Sequence, residues 1–395
     1  MEGYVLHTYG RETYLRHAVA SVQTLRRYDK HRPVALYADE AQIELLKRKG
    51  LDHLFAVLEV LPPEYRSIVG FKHNLNKFKA FERSLFVDSD IVWCRDPDAL
   101  WHKLEAYAFT ATGLEKADAW FGGPKGLGII TDRLFDRRRR TMHRFGLTYL
   151  PRVQAGMIYA ADPVVTAEVC DHAQEYLRRR KETHFRSRLD EGRSEESCEW
   201  SMAMAVSSLD LPIFHWFQGQ DSPQLDFIDG YVDHDLNFEV VRCRYHTDAL
   251  IHGLRGFPNH LIRDTLVRYL SKLPGKGDFM WVTPYALHFG WMHHKQPFYD
   301  LSDRIWDELT HSQAANQSEP EAIPEDKRIP ITVSNVKVGD IVYFDNDKNE
   351  KHEPKNLISY LGQEPIIIDG SIQENIVFSE NQNDFVEKKI PYVPL

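Results

Sequence analysis

Asp88 and Asp90 stand one residue apart at the end of an apolar run that begins at Ser84 and passes through Leu85, Phe86 and Val87. Residues i and i+2 of an extended chain project to the same side, so the two carboxylates can face one ion together. Hard oxygen ligands suit Mg2+ or Mn2+, which keep coordination positions free for the phosphates of a substrate. The chemistry this spacing offers is a metal-diphosphate site. A plain turn after a strand uses the same residue types, and the short motif alone does not separate the two readings.

The run that carries the aspartates reads as a buried strand of an α/β sheet, and ligands of such sheets bind beyond the carboxyl ends of the strands. The elements before it fit that frame. Residues 3–8 read as a first strand, with Tyr9, Gly10 and Arg11 as a turn. Leu15, Ala18, Val19, Val22 and Leu25 then recur at helical spacing. Residues 33–38 form a second strand, Asp39 is an N-cap for a helix ending near Gly50, and residues 51–61 carry a third strand. Consecutive strand–helix units predict a parallel sheet of the nucleotide-binding kind. No GxGxxG follows the first strand, so a dinucleotide cofactor is not supported.

Further along, residues 74–83 predict a helix that delivers Lys77 and Lys79 ahead of the aspartates. Lys77 has two readings, a phosphate contact or a wet helix face. Asp96 and Pro97 open a helix that buries Leu100 and Trp101, and residues 107–113 form a strand. The glycine-rich stretch 120–128 fits a loop near a ligand or a plain connection. The basic runs 136–140 and 178–181 predict solvated helical faces. Gln154 and Gly156 mark a small-residue turn into a strand, and Glu199 opens an apolar helix. Residues 248–253 and 285–290 each read as a strand ending in a histidine and a glycine, His252 with Gly253 and His288 two before Gly290.

The chain has 395 residues, 43% hydrophobic and 27% charged, enough for two or three domains with a substantial core. A net charge of -9 argues against a general nucleic-acid binder. No signal-like start and no run of 18 apolar residues occurs, so neither secretion nor a membrane span is expected. Cys94, Cys170, Cys198 and Cys243 form no CxxC pair, and reduced cytoplasmic thiols are expected.

The order of these elements resembles glycosyltransferases of the GT-A fold that use nucleotide sugars, above all glycosyltransferase family 8. Tyr9-Gly10, then Lys77, then Phe81–Asp90, then Gln154–Gly156, Glu199 with its helix, and Ile251–Gly253 match family elements in sequence. The resemblance implies a metal-dependent transfer of a sugar from a nucleoside diphosphate, a UDP-sugar first. The acceptor would be a saccharide, a lipid-linked glycan or a protein. It implies that Asp88 and Asp90 hold Mn2+ or Mg2+ on the diphosphate, with a late histidine completing the set. His252 is the first choice, and His288 the second, because His288-Phe-Gly290 with Lys295-Gln-Pro297 resembles the family's His-x-x-Gly-x-x-Lys-Pro-Trp motif with shifted spacing. Thr8, Tyr9, Gly10 and Arg11 would lie near the base. Asp39 would contact the nucleoside, and Lys77 a phosphate or sugar. Ser89 lies between the aspartates, Gln154 and Gly156 would line the sugar pocket, Glu199 would sit on the acceptor side, and Glu199 and Gln154 would be the catalytic residues. Gln154 departs from the family's usual Asn.

From about residue 311 the chain reads as a linker to 330 and then a short segment to Leu395. It holds 15 acidic and 8 basic residues from Glu319 on, most of the chain's negative balance. Residues 356–378 resemble the Q-loop region of an ABC transporter ATPase. The phosphate loop and signature that ATP hydrolysis needs are absent, so a small non-catalytic mixed or β-rich appendage is expected. Two other functions fit parts of the sequence. A haloacid-dehalogenase-type phosphatase would use Asp88 as nucleophile and Asp90 as acid, but carries its motif on the first strand of the fold. A non-catalytic protein would bind a nucleotide sugar without turnover.

Overall fold

Strand β1 (Glu2–His7) sits at the centre of a sheet because its apolar side chains Tyr4, Val5 and Leu6 are buried on both faces. The computed structural model describes residues 1–114, 134–185, 187–190, 192–216, 221–246, 248, 251, 254, 257, 259–290 and 292–317. The stretch 120–128, His252, Gly253 and the ABC-like segment lie outside the described residues. The chain divides into two units, Met1–Ser318 and Glu319–Leu395, and all the described residues belong to the first.

Strands β2 (Val34–Ala38), β3 (Val57–Val60) and β4 (Arg83–Val87) join β1 in parallel. Beyond β4 the sheet turns antiparallel through β7 (Arg152–Ala160) to β6 (Phe109–Leu114), with β8 (Phe214–His215) at the edge. The full order is β3-β2-β1-β4-β7-β6-β8. The expected mixed α/β architecture with a parallel centre is therefore present. The strand order reverses between β1 and β4, so their carboxyl ends open a crevice at a topological switch point.

Helices cover the sheet. Helix α1 (Glu12–Arg26) packs Leu15, Val19, Val22 and Leu25 inward, as its spacing predicts. Helix α2 (Glu40–Arg48) is capped by Asp39, whose carboxylate accepts from the Gln42 backbone N–H. The helix expected over residues 74–83 is different. A five-residue helix α3 (Ile68–Lys72) comes earlier, and only a 3-10 turn, Leu75–Lys77, follows it before β4 begins at Arg83. Leu75, Phe78 and Phe81 are all buried, and their i,i+3 spacing suits a 3-10 turn with a bent connection as well as a helix.

Helix α4 (Asp98–Leu104) buries Leu100 and Trp101 as expected. The basic run near 137 forms the exposed helix α5 (Arg137–Arg144), and α6 (Pro163–Arg178) follows β7. Helix α7 (Glu199–Ser208) is buried along nearly its whole length. Gln154 and Gly156 lie inside β7 rather than at a turn before it. Ile251, within the strand expected over 248–253, is helical, as is Leu254 just beyond it.

A second sheet binds the later part of the chain to the aspartates. Strand β13 (Ala286–His288) pairs antiparallel with β5 (Ile91–Trp93) and parallel with β9 (Gln224–Asp226). A third sheet holds β10 (Val232–His234), β11 (Val241–His246) and β12 (Phe279–Val282). Helix α8 (His260–Leu270) lies between β11 and β12 in sequence. The last helix, α9 (Gln296–Gln317), continues seven residues past the expected linker start at 311. All four cysteines are free and buried. Among the described residues, no helix is long and apolar enough to cross a membrane.

Candidate metal centre and its lysines

Asp88 follows the last residue of β4, and Asp90 precedes β5. Their backbones are pinned from two sides. The Asp88 N–H donates to the Gly156 carbonyl at 3.0 Å, and the Phe289 N–H donates to the Asp90 carbonyl at 2.9 Å. The β13–β5 register places His288 opposite Ile91, directly beside Asp90. As a result, His288 Nε2 lies 3.6 Å from Asp88 Oδ2 and 3.5 Å from Asp90 Oδ1. These three side chains present one donor atom each within 4.8 Å of one another. Two carboxylates and an imidazole fit a divalent ion such as Mn2+.

The far side of the His288 ring is fixed as well. Nδ1 is 2.8 Å from Asp226 Oδ1 and 2.8 Å from the Gln154 amide nitrogen. Gln154 also donates to Asp226, and its own oxygen accepts from Gln224 Nε2 at 2.6 Å. Gln224 reaches Thr112 Oγ1 at 2.6 Å in turn. A carboxylate on one imidazole nitrogen turns the other toward the ion, the usual outer support of a metal-binding histidine. Gln154 thus sits beneath the histidine, with its amide engaged on both ends.

Two glycines make room for this ring. A Cβ on Gly290 would stand 2.6 Å from His288 Cε1, and one on Gly156 would stand 3.3 Å from Cδ2 and 3.0 Å from Gln224 Oε1. Gly290→Ala is expected to displace the ring and to cost about 1–3 kcal/mol, the usual penalty of overpacking. A urea unfolding midpoint equal to wild type would show that the ring has space this geometry denies.

Two lysines complete the cluster. Lys72 Nζ, at the end of α3, lies 2.6 Å from Asp88 Oδ1 and donates to the Ala155 carbonyl at 2.8 Å. Lys295 Nζ donates to Asp90 Oδ2 at 2.7 Å. The β6–β7 register shifts between Ala111 and Thr112, beside the Ala155 carbonyl that Lys72 reaches, as irregularities beside sites commonly do. Burial opposes charge on Asp88, but Lys72 and His288 outweigh it and hold the carboxyl well below the ordinary range. Burial likewise pushes His288 down, yet the Asp90, Asp226 and Asp88 carboxylates lift it well above the ordinary imidazole value. Lys72 and Lys295 are raised against the desolvation of their own burial by the aspartates they face. Three carboxylates therefore stand against two ammonium groups and an imidazole.

The remaining residues singled out from the sequence divide. Gly10 turns the chain with φ of +80°, and its N–H donates to Asp39 Oδ2 at 2.6 Å. Both Asp39 oxygens thus hold backbone. Thr8 is buried and donates to Gln42, and the Tyr9 hydroxyl donates to Glu195 at 2.9 Å. Arg11 is exposed, with its carbonyl accepting from Gln42. Ser89 is half-buried between the aspartates. Lys77 does not join the cluster, because its Nζ donates to the Tyr65 hydroxyl at 2.7 Å. Glu199 heads α7, where burial pushes its carboxyl up while Arg188 and Lys72 pull it down. His252 lies outside the described residues.

Sequence reasoning missed Lys72, Asp226, Gln224 and His7. His7, the last residue of β1, stacks on Phe71 at 3.9 Å. Burial and the nearby Lys72 ammonium lower it to about 4. Nothing local marks these residues: strand pairing over long separations brings in Asp226 and Gln224, and Lys72 arrives from the short helix α3. Lys295 was noted only as part of a shifted motif.

No family model and no curated protein matches the chain. Among solved structures it is similar to the galactosyltransferase LgtC crystallised with donor and acceptor sugar analogues. That match has 10% identity, covers 82% of this chain and 98% of that one, and has a TM-score of 0.41. It is also similar to mouse xyloside xylosyltransferase 1, at 11% identity over 57% of this chain and 88% of that one, with a TM-score of 0.36. The glycosyltransferase GlyE of Streptococcus pneumoniae TIGR4 matches at 12% identity over 80% of this chain and 65% of that one, with a TM-score of 0.41.

Proposed function

We propose that the chain is a metal-dependent glycosyltransferase that takes a sugar from a nucleoside diphosphate, a UDP-sugar first, to a saccharide, lipid-linked glycan or protein acceptor. The observation that carries this reading is the convergence of Asp88, Asp90 and His288 beyond the carboxyl ends of β1 and β4. The order of sequence elements that resembles family 8 supports it independently. Asp88, Asp90 and His288 would hold Mn2+ or Mg2+, which when bound offsets charge on the departing diphosphate.

The chain's own residues account for the rest. Lys72 and Lys295 neutralise the carboxylates now and are the cations nearest to where a diphosphate would lie. They thus serve both the resting site and an anionic donor. Asp226 and Gln154 hold the imidazole in one orientation, so Gln154 acts as a positioning residue for His288. The Gly10 turn and Asp39 shape the rim at the end of β1. Glu199, half-buried and coupled electrostatically to Lys72 and Asp226, would orient an acceptor hydroxyl. Free buried cysteines fit a cytoplasmic protein. A phosphatase reading is not favoured, because the aspartates follow the fourth strand.

The test is thermal stabilisation by UDP, GDP, ADP and CMP, each with and without Mn2+. A ligand of the native state raises the melting temperature by mass action, by about 2.7 kcal/mol of stability at a hundredfold excess over Kd. A metal-dependent rise with UDP alone is expected. Stabilisation by none of the four would sink the proposal.

A further inference from the structure

A second cluster of metal-ligating side chains lies outside the site just described. Asp229 is in the turn after β9, His260 is the first residue of α8, and His294 ends the 3-10 turn Met292–His294. One ligand atom from each lies within 4.8 Å of the others. Asp229 Oδ2 is 3.6 Å from His260 Nδ1, and the His260 and His294 rings are 5.6 Å apart between centroids.

His294 is the telling member. It is 3% exposed, and neither ring nitrogen has a hydrogen-bond partner. A buried polar side chain left without a partner is costly and calls for an explanation, which a bound ion would supply. Asp229 and His260 are exposed, so both can close toward the fixed imidazole. Two imidazoles and one carboxylate suit Zn2+ and its neighbours rather than Mg2+ or Ca2+, and three protein ligands leave one position for water.

We propose that Asp229, His260 and His294 bind a divalent transition-metal ion of the Zn2+ type. The three ligands come from separate elements, so the ion ties them together. It also sits next to the first cluster in sequence on two of its arms. Asp229 is three residues from Asp226, which holds His288, and His294 adjoins Lys295, which holds Asp90. The bound ion fixes the turn that delivers Lys295.

The test uses the full chain carrying Asp90→Asn, stripped of metal and titrated with Co2+. That background weakens the first cluster, so the result does not depend on whether the glycosyltransferase reading holds. One equivalent of Co2+ should produce a visible ligand-field band. Adding His260→Ala or Asp229→Asn should weaken that binding by about tenfold or more, since even outer partners of metal ligands are worth that much. Both positions are exposed, and circular dichroism in chelator checks that the variants fold. A Co2+ band unchanged by both substitutions, or no band in the folded Asp90→Asn chain, would overturn the proposal.

Discussion

Asp90→Asn is expected to abolish metal-dependent nucleotide binding and to lower sugar transfer by at least about 10²–10³-fold, the scale of losing one preorganised charged group in an active site. Asn matches Asp in shape, so its side-chain oxygen still accepts from Lys295 Nζ, now 2.7 Å from Asp90 Oδ2. The Phe289 N–H donates to the residue's backbone carbonyl and is untouched. What disappears is the charge, and with it one of two hard anionic donors facing His288 Nε2. The fold should persist, and its circular dichroism spectrum should match wild type. Two readings of one titration separate the outcomes. Stabilisation by UDP with Mn2+ should vanish in the variant. Full transfer by the variant would remove the metal from the reaction altogether.

The charge balance explains why this site is visible in part from sequence. Asp88 and Asp90 belong to one local signal, a strand that stops in two acids, and both stand where that signal puts them. The strand–helix rhythm of residues 3–50 and the Asp39 cap are equally local, and each is present. The lysine partner was not legible. Lys77 lies closer in sequence to Asp88, but the chain from Leu75 to Arg83 is a 3-10 turn and a bent connection, and Lys77 reaches Tyr65 instead. Lys72 reaches Asp88 from a five-residue helix that no periodicity announces. The histidine was a choice between two strand-end candidates. Pairing of β13 with β5, nearly 200 residues earlier, brings His288 to the aspartates, and no local pattern encodes a partner at that distance. Asp226 and Gln224 enter the same way, through β9 on the other side of β13. His288 and the network below it are thus products of topology, whereas the aspartate pair is a product of local sequence.

Lys72→Met is expected to be the most destabilising single change at the site. Lys72 is 8% exposed, and its ammonium is shared between Asp88 Oδ1 and the Ala155 carbonyl. Methionine keeps most of the volume and removes the charge, leaving a largely buried carboxylate with the His288 edge, 3.6 Å away, and the more distant Lys295 to offset it. Breaking a buried pair by removing one partner costs about 3–5 kcal/mol. The sign of the pH dependence follows from Asp88, whose carboxyl is held below its ordinary value despite burial, chiefly by Lys72. A depressed carboxylate contributes stability above its unfolded pKa of about 3.9, and that contribution fades as pH falls toward the folded value. The loss caused by Lys72→Met in metal-free protein should therefore be largest near neutral pH and should shrink toward pH 3. Urea unfolding of both proteins at pH 7 and pH 3 measures it. Adding Asp88→Asn to Lys72→Met should recover part of the loss, because the stranded charge is gone and the two sites are coupled. An equal loss at both pH values, with no recovery in the double variant, would mean that Lys72 contributes through packing of its stem rather than through Asp88.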